Sequence, residues 1–355
     1  MTSAVPGLGR GAGVAVASLG TDRMAEWDAY VLARPEGEIF HTTGWLRVVR
    51  DTYGHRVHRL AAVEGDTIRG VLPLAHIRSR LFGDCLASAP YGTSGGILAD
   101  SDRIGTILAL AAVDLARALG VGYLELKHHR PTPDLALVRV AEYLTYRLPL
   151  ADPDTLWRER LEGRGRRAVA KARRAGLRAA WDGDGLDILY RLVAGNMRRL
   201  GTPVHARAFF ENILRVFGDA AEIVVVRDGR EPVAALLQLR FGRRTVLYTG
   251  ADRHDRRALN GFSFCVWEAI RRAAGRGDAM VDFGRSPVGA GTALFKQQWG
   301  ARATPLCYEY ALLGRRTPPR YNVNNPRLAP ARAAWRRLPP ALTLALGPRL
   351  IRSIP

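Results

Sequence analysis

IVVVRDGREPVAALLQLRF, residues 223–241, decides how this chain folds. A β-branched apolar run, an Asp-Gly pair and a second apolar run describe two strands joined by a tight turn. About 160 residues earlier AAVEGDTIRGVLPLAHI, residues 61–77, repeats the pattern with its own Gly-Asp turn. Reading outward from both hairpins, the likeness continues. The first is followed by the glycine-rich PYGTSGGIL, a helical pattern over 103–119 and the strand GVGYLELK; the second by VLYTGAD, a helical pattern over 261–274 and GRGDAMVDFGR. Each unit therefore ends in an apolar strand carrying one acid, Glu125 in the first and Asp282 in the second. This order predicts a duplicated α/β (α+β) unit built on a mainly antiparallel, mixed sheet flanked by helices. The joint is expected near LADPDTLW, giving a first unit over 1–150, a second over 151–315 that carries the active site, and a Pro/Asn-rich wrapping tail over 316–355 with one short C-terminal helix.

The chain has 355 residues, 47% of them hydrophobic and 24% charged, which describes a globular protein large enough for two cores. Its formal charge is +20, and the 53 basic residues comprise 50 arginines and three lysines, Lys127, Lys171 and Lys296. Such a balance favours anionic partners: nucleic acid, nucleotide-activated substrates or an anionic membrane surface. Much of the arginine excess is expected on solvated faces. Three dispersed cysteines, Cys85, Cys265 and Cys307, each in an apolar context, read as buried small hydrophobes and not as a disulfide framework. The first twenty residues lack a signal-peptide pattern and no stretch reaches the length of a membrane span, so a cytoplasmic location is expected.

The strongest chemical signal is FGRSPVGAGTALFKQQWG, residues 283–300. Gly284, Gly289 and Gly291 permit tight turns that direct backbone amides outward, suiting anionic oxygens. Ala290 stands where a Walker loop would place lysine, so this is not one. Arg285, beside Ser286, offers a planar fork for phosphate or carboxylate; Lys296 offers a compact charge that burial can tune; Asp282 is either a proton handler or the partner of Arg285. The segment 157–179 has nine basic and two acidic residues, and Arg167 and Lys171 are its candidates for a substrate phosphate. Arg199 is placed facing a cleft, with Thr202 capping or turning nearby. Tyr91 and Tyr248 are placed at matching strand ends, where a tyrosine can orient an acceptor or protonate a leaving group. The histidine pairs 55/58 and 128/129 have no acidic or cysteine companion at ligand spacing, so no catalytic metal is expected, and no G-x-S-x-G elbow is present.

Together FHTTGWLRVVRDTYGH (40–55), GVLPLAHIRSRLFGDCLASAPYGTSGG (70–96), RRLGTPVHARAFFENIL (198–214), VDFGRSPVGAGTALFKQQWGARATPLCYEYALL (281–313) and NVNNPRLAPARAAWRRLPPALTLALGPRLI (322–351) resemble the FemAB-like aminoacyl/acyl transferases, in the branch associated with exosortase (PEP-CTERM) and exopolysaccharide systems. The resemblance implies two GNAT-like units in tandem. It implies an enzyme that forms an amide or ester on a nucleotide- or lipid-linked sugar precursor of an envelope polymer. The donor would be a co-substrate, aminoacyl-tRNA or acyl-CoA, with no permanently bound cofactor. Phe295-Lys296 matches the family's FK motif, which puts Lys296 at the reacting centre, and the R-x-x-x-K-A-x-x-x-G-L segment puts Arg167 and Lys171 on a substrate phosphate. Where coenzyme A-dependent relatives carry Q/R-x-x-G-x-G/A, this chain has RRALNGF, with Gly261 in place and Asn260 beside it as an alternative anion site. The competing expectation is a non-catalytic module whose basic groove holds nucleic acid or polysaccharide. The basic and apolar C-terminus is a further candidate for peripheral contact with an anionic membrane.

Overall fold

The structure is a computed structural model, and it describes residues 13–79, 83–181, 185–319 and 326–355. The readings made on the first twelve residues and on the Asn-rich 320–325 lie outside the described residues. Two compact units emerge. The first comprises Met1–Glu142, Pro305–Tyr321 and Arg352–Pro355; the second Tyr143–Thr304 and Asn322–Ile351.

The first unit begins with β1 (Val14–Ser18), α1 (Met24–Leu32), α2 (Thr43–Tyr53), β2 (Arg56–Glu64), β3 (Thr67–Ile77), β4 (Cys85–Ser88), β5 (Leu98–Ala99), α3 (Asp102–Ala118) and β6 (Tyr123–His128). The chain leaves it within β7 (Val138–Pro149). The second unit continues with α4 (Pro153–Thr155), α5 (Gly163–Arg174), β8 (Arg178–Trp181), α6 (Gly185–Leu200), α7 (Arg207–Phe217), β9 (Ala221–Asp228), β10 (Glu231–Phe241), β11 (Arg244–Asp252), α8 (Gly261–Gly275), β12 (Met280–Pro287) and α9 (Gly291–Gln297). The chain returns to the first unit within β13 (Arg302–Leu312), and α10 (Ala329–Arg337) and α11 (Pro340–Ile351) belong to the second. The tail thus holds two helices where the sequence led us to expect one. Pro339 and Pro340 explain the split, since proline starts a helix well and cannot continue one.

The duplication shows in the spatial order of the strands, with β5, which pairs β3, an addition of the first unit. In the first unit the strand order is β1-β2-β3-β4-β6-β13, and in the second β8-β9-β10-β11-β12-β7. In each, the fourth and fifth strands are parallel and the remaining neighbours antiparallel. Hydrophobic alternation sets the layers: Val224, Val226, Val233, Ala234 and Leu236 pack with α5 and α8 into one core. Gly185 of α6 instead faces Ile223 and Val225, on the other side of the sheet, where α6 and α7 lie. In the first unit α3 covers Leu60, Leu72, Leu86 and Leu124. The hairpin turns take positive φ at Gly65 (57°) and Gly229 (58°), a conformation that costs glycine little.

One feature of this plan was not foreseen. The sequence reading closed the second unit at 315, whereas residues from Pro305 belong to the first and those from Tyr143 to the second. The closing strands differ in chain order: β13, which completes the first sheet on β6, follows the whole second sheet, whereas β7, which completes the second on β12, precedes it.

Candidate functional site

The candidate site is built on the parallel pair β11 and β12. Three residue pairs are in register, Arg244 with Met280, Thr245 with Val281 and Val246 with Asp282. There the ladder stops, although β11 runs on to Asp252 and β12 to Pro287. Both strands bulge at the point of parting. Against β10, Leu237 pairs with Thr249 and Gln238 with Leu247, so Tyr248 is the inserted residue. Against β7, Asp282 pairs with Arg147 and Arg285 with Thr145, which leaves Phe283 and Gly284 opposite a single residue. Gly284 has φ +68°, the left-handed geometry such a bulge uses.

Lys296 sits where this bulge turns out its carbonyls. Its ammonium donates to Gly284 O at 2.7 Å and Arg285 O at 2.9 Å, and lies 5.5 Å from the centre of the Tyr146 ring. Burial pulls its pKa down to about 8; Asp282 pushes it up and Arg285 down. An ammonium has three N–H donors, so with two fixed on carbonyls one remains to meet a developing oxyanion. Phe295, one residue earlier, stacks on Phe262 of α8 at 5.7 Å, and Phe262 lies against the bare Cα of Gly250, where a Cβ would come within 2.7 Å of its ring.

The remaining residues singled out from the sequence are placed less uniformly. Asp282 accepts from the Thr145 hydroxyl (2.8 Å), the Gly284 amide (2.7 Å) and Arg147 Nε (2.9 Å). Its ion-pair partner is therefore Arg147, in place of the expected Arg285, and its oxygens are committed to tying β12 to β7. Arg285 is exposed with its guanidinium 5.0 Å over the Tyr143 ring. Ser286 is buried and accepts from Thr292 Oγ1 at 3.0 Å, which makes it a brace of the loop. Arg167 and Lys171 are exposed on α5, on one side of the helix with Arg164 and Arg174, Arg178 opens β8, and none of these five is ion-paired among the described residues. Arg173, on the inner side, leans 5.5 Å over Trp157 and 3.8 Å from Glu268.

Five further residues singled out from the sequence are placed as follows. Tyr248 lies on the α7 side, 6.3 Å from Phe209, whereas Lys296 and Tyr146 are with α8, so the two are not parts of one relay. Register assigns Ala89, not Tyr91, as the counterpart of Tyr248: Ala87 pairs with Glu125 as Val246 pairs with Asp282, and each unit continues two residues further. Tyr91 lies beyond β4, at φ 64°, donating to Arg352 O at 2.8 Å and meeting His55 Nε2 at 2.9 Å, an anchor for the C-terminus. Arg199, on α6, is held by Asn196 Oδ1 at 2.6 Å. At the start of α8, Asn260 is left-handed (φ 59°) and Gly261 is glycine for packing, since a Cβ would come within 3.0 Å of Val233. Asp252 and Asp255, next to that helix start, are taken up in ion pairs with Arg257 and Arg253.

The sequence reading missed Tyr146, Arg147 and Thr145. Their signal was the alternation in YLTYRLP, which puts Thr145 and Arg147 on one face of β7, but only pairing with a strand 135 or more residues away reveals their use. His128 and His129, without acidic companions nearby in sequence, meet Glu309 at 3.7 Å and Glu38 at 2.9 Å. His128 is buried and held down at about 4, hence neutral.

With this geometry in view, residues 160–297 match the family model of the acetyltransferase (GNAT) domain, a span ending just past Lys296. FemX is 16% identical over 82% of this chain and 96% of its own, with a TM-score of 0.65. The fold is a FemAB-like pair of GNAT units. A tandem GNAT protein from the clavulanic acid biosynthesis pathway is 12% identical, covering 84% of this chain and 98% of that one, with a TM-score of 0.54. The C-terminal domain (DUF2156) of an Agrobacterium fabrum protein assigned as a lysylphosphatidylglycerol synthetase is 13% identical, covering 92% and 96%, with a TM-score of 0.55. No curated protein matches the chain.

Proposed function

We propose that the chain is an acyl- or aminoacyltransferase that forms an amide, or an ester, on a nucleotide- or lipid-linked sugar precursor of a cell-envelope polymer or exopolysaccharide. The observation that carries this reading is the opening between β11 and β12, with Lys296 fixed on two backbone carbonyls beside it. The match of residues 160–297 to an acetyltransferase domain supports it.

In this reaction the acceptor amine or hydroxyl attacks the donor's carbonyl carbon. A C–N or C–O bond forms, the donor's thioester or ester bond breaks, and the acceptor's proton leaves with the departing thiol or hydroxyl. The free N–H of Lys296 meets the oxyanion of the tetrahedral intermediate, in a half-buried setting where such a charge counts for more than in water. Asp282 acts through the bulge it ties, not on the proton. Tyr248, on the α7 side, is left to orient the acceptor and shares no proton relay with Lys296. Arg285 and the unpaired cations of α5 hold anionic parts of the substrates, the phosphates of tRNA or coenzyme A among them.

The test is a thermal-shift screen of UDP-sugars, acyl-CoAs and aminoacyl-tRNA analogues on the wild type and Lys296→Arg, followed by mass spectrometry of mixtures of the binders. A donor at a hundredfold excess over its dissociation constant stabilises the fold by about 2.7 kcal/mol, well within reach of the assay. Product with the wild type and none with Lys296→Arg supports transfer. Binding without product, steep in salt and indifferent to Lys296→Arg, replaces it with the binding module.

A further inference from the structure

The C-terminal helix α11 presents apolar side chains to solvent along its whole length. Helix α11 seats on the second unit through Thr343, which is buried, and Gly347, where a Cβ would come within 3.1 Å of the Val204 backbone. These positions are four apart and share one side of the helix. The rest is exposed: Leu342 and Leu346, with Arg349, lie on one flank and Leu344 on the other, with Ala341 and Ala345 between them, and Leu342, Leu344 and Leu346 are 47%, 39% and 39% exposed. Arg349 is the one charged residue among them. A surface of this composition, on a helix already seated, marks a place where something apolar is met.

Charge identifies what that is. No aspartate or glutamate occurs after Glu309, while the same 46 residues contain nine arginines. Exposed Arg336 and Arg337 end α10, three residues before α11, and like Arg349 form no ion pair among the described residues. A second copy of this chain would bring another +20 molecule and its own arginines against the same face, so self-association is opposed electrostatically. A leaflet rich in anionic lipid satisfies both demands, with apolar depth for the leucines and phosphates for the arginines. At twelve residues, about 18 Å, α11 cannot span a bilayer. Among the described residues no helix is long and apolar enough to do so.

We propose that α11 lies in the plane of an anionic membrane surface, its leucines inserted and Arg336, Arg337 and Arg349 on lipid phosphates, docking the second unit there. This is independent of the transferase reading, because it needs no reaction at Lys296. The test is sedimentation of the full chain with phosphatidylcholine vesicles, with and without an equal share of phosphatidylglycerol. Three proteins are compared: wild type, Leu342→Ser/Leu344→Ser/Leu346→Ser, and Arg336→Gln/Arg337→Gln/Arg349→Gln. Wild type should pellet with the anionic vesicles and poorly with phosphatidylcholine alone, and each triple variant should bind at least about tenfold more weakly while melting at the wild-type temperature. Equal pelleting of the leucine variant, or no pelleting of the wild type, overturns the proposal. So does gel filtration in which the wild type elutes as a dimer and the leucine variant as a monomer, which would make a second copy the occupant.

Discussion

The two units use one scaffold and treat the same acid in opposite ways. Glu125 and Asp282 occupy the third and last paired position of β6 and β12, and each meets a residue directly opposite on the closing antiparallel strand, Tyr310 in one and Arg147 in the other. In the first unit β4 ends at Ser88, and the chain turns back through Ala89 and Tyr91, both at positive φ. Glu125 is buried there and takes the Tyr310 hydroxyl at 2.7 Å. In the second unit β11 runs on for six residues past its last pairing, with a bulge at Tyr248, and leaves an opening beside a half-buried lysine. What separates a sealed unit from an open one is therefore strand length and a pair of bulges, with the sheet order unchanged.

The sharpest way to break this comparison is chemical. Lys296→Ala should lower transfer by about 10²–10³-fold, as loss of a preorganised oxyanion donor does, and Lys296→Arg should fare little better because a planar fork cannot replace a point donor on two carbonyls. Glu125→Gln, in the sealed unit, should leave the rate unchanged; if it matched the Lys296 variants, the first unit would hold the reacting site. Glycines give the next contrast. Gly95 (φ 111°) would bring a Cβ within 2.6 Å of Ala89 Cβ, so Gly95→Ala should cost about 2–4 kcal/mol in urea unfolding, without a specific effect on turnover. Gly284→Ala should cost about 1–2 kcal/mol yet lower the rate more, since it shifts the carbonyls that hold Lys296.

Titration separates the units again. The transfer rate should fall as pH rises through about 8, where Lys296 loses its proton. Over the same range this group's contribution to stability should increase, because the unfolded lysine still binds a proton up to its ordinary 10.5 while the folded one does not. A rate loss accompanied by unfolding would contradict the assignment. On the acid side His55, His58 and His128 of the first unit are each held by burial at about 4, against His205 at about 3 in the second. Unfolded, they take up protons from about 6.5 downward, so stability should fall between 6.5 and 4, with hydrogen exchange rising first in the first unit. The smallest effect is expected for Arg167→Gln/Lys171→Gln: an unchanged melting temperature, and a salt slope of anion binding reduced by about 2.

The repeat was legible because its evidence is local. Hairpin turns fall at Gly65 and Gly229, and the helices expected at 103–119 and 261–274 are α3 at Asp102–Ala118 and α8 at Gly261–Gly275. The Gly-rich loop and a lysine on the helix behind it were likewise visible, because glycine and rare lysine are informative wherever they stand. Partnership across the sheet was not. Asp282 meets Arg147 instead of Arg285 because β7 is placed by burial of Tyr146 and Leu148, which no short window encodes. The Tyr91–Tyr248 match failed for a related reason: counting along a sequence cannot see where one strand stops and its twin goes on.

The exchange of closing strands has a consequence for how this chain is made. β6 is complete at His128, yet its antiparallel neighbour β13 is synthesised roughly 180 residues later. At about 5–20 residues per second, the first unit must wait on the order of ten seconds or more on the ribosome with a strand edge unpaired. During that interval β6 is a template for any strand that reaches it first. β7, by contrast, emerges well before β12 and is ready when its partner arrives. Synthesis therefore completes the sheet of the second unit before that of the first, and a chain stopped short of residue 312 would leave the earlier-made sheet, not the later one, open to aggregation.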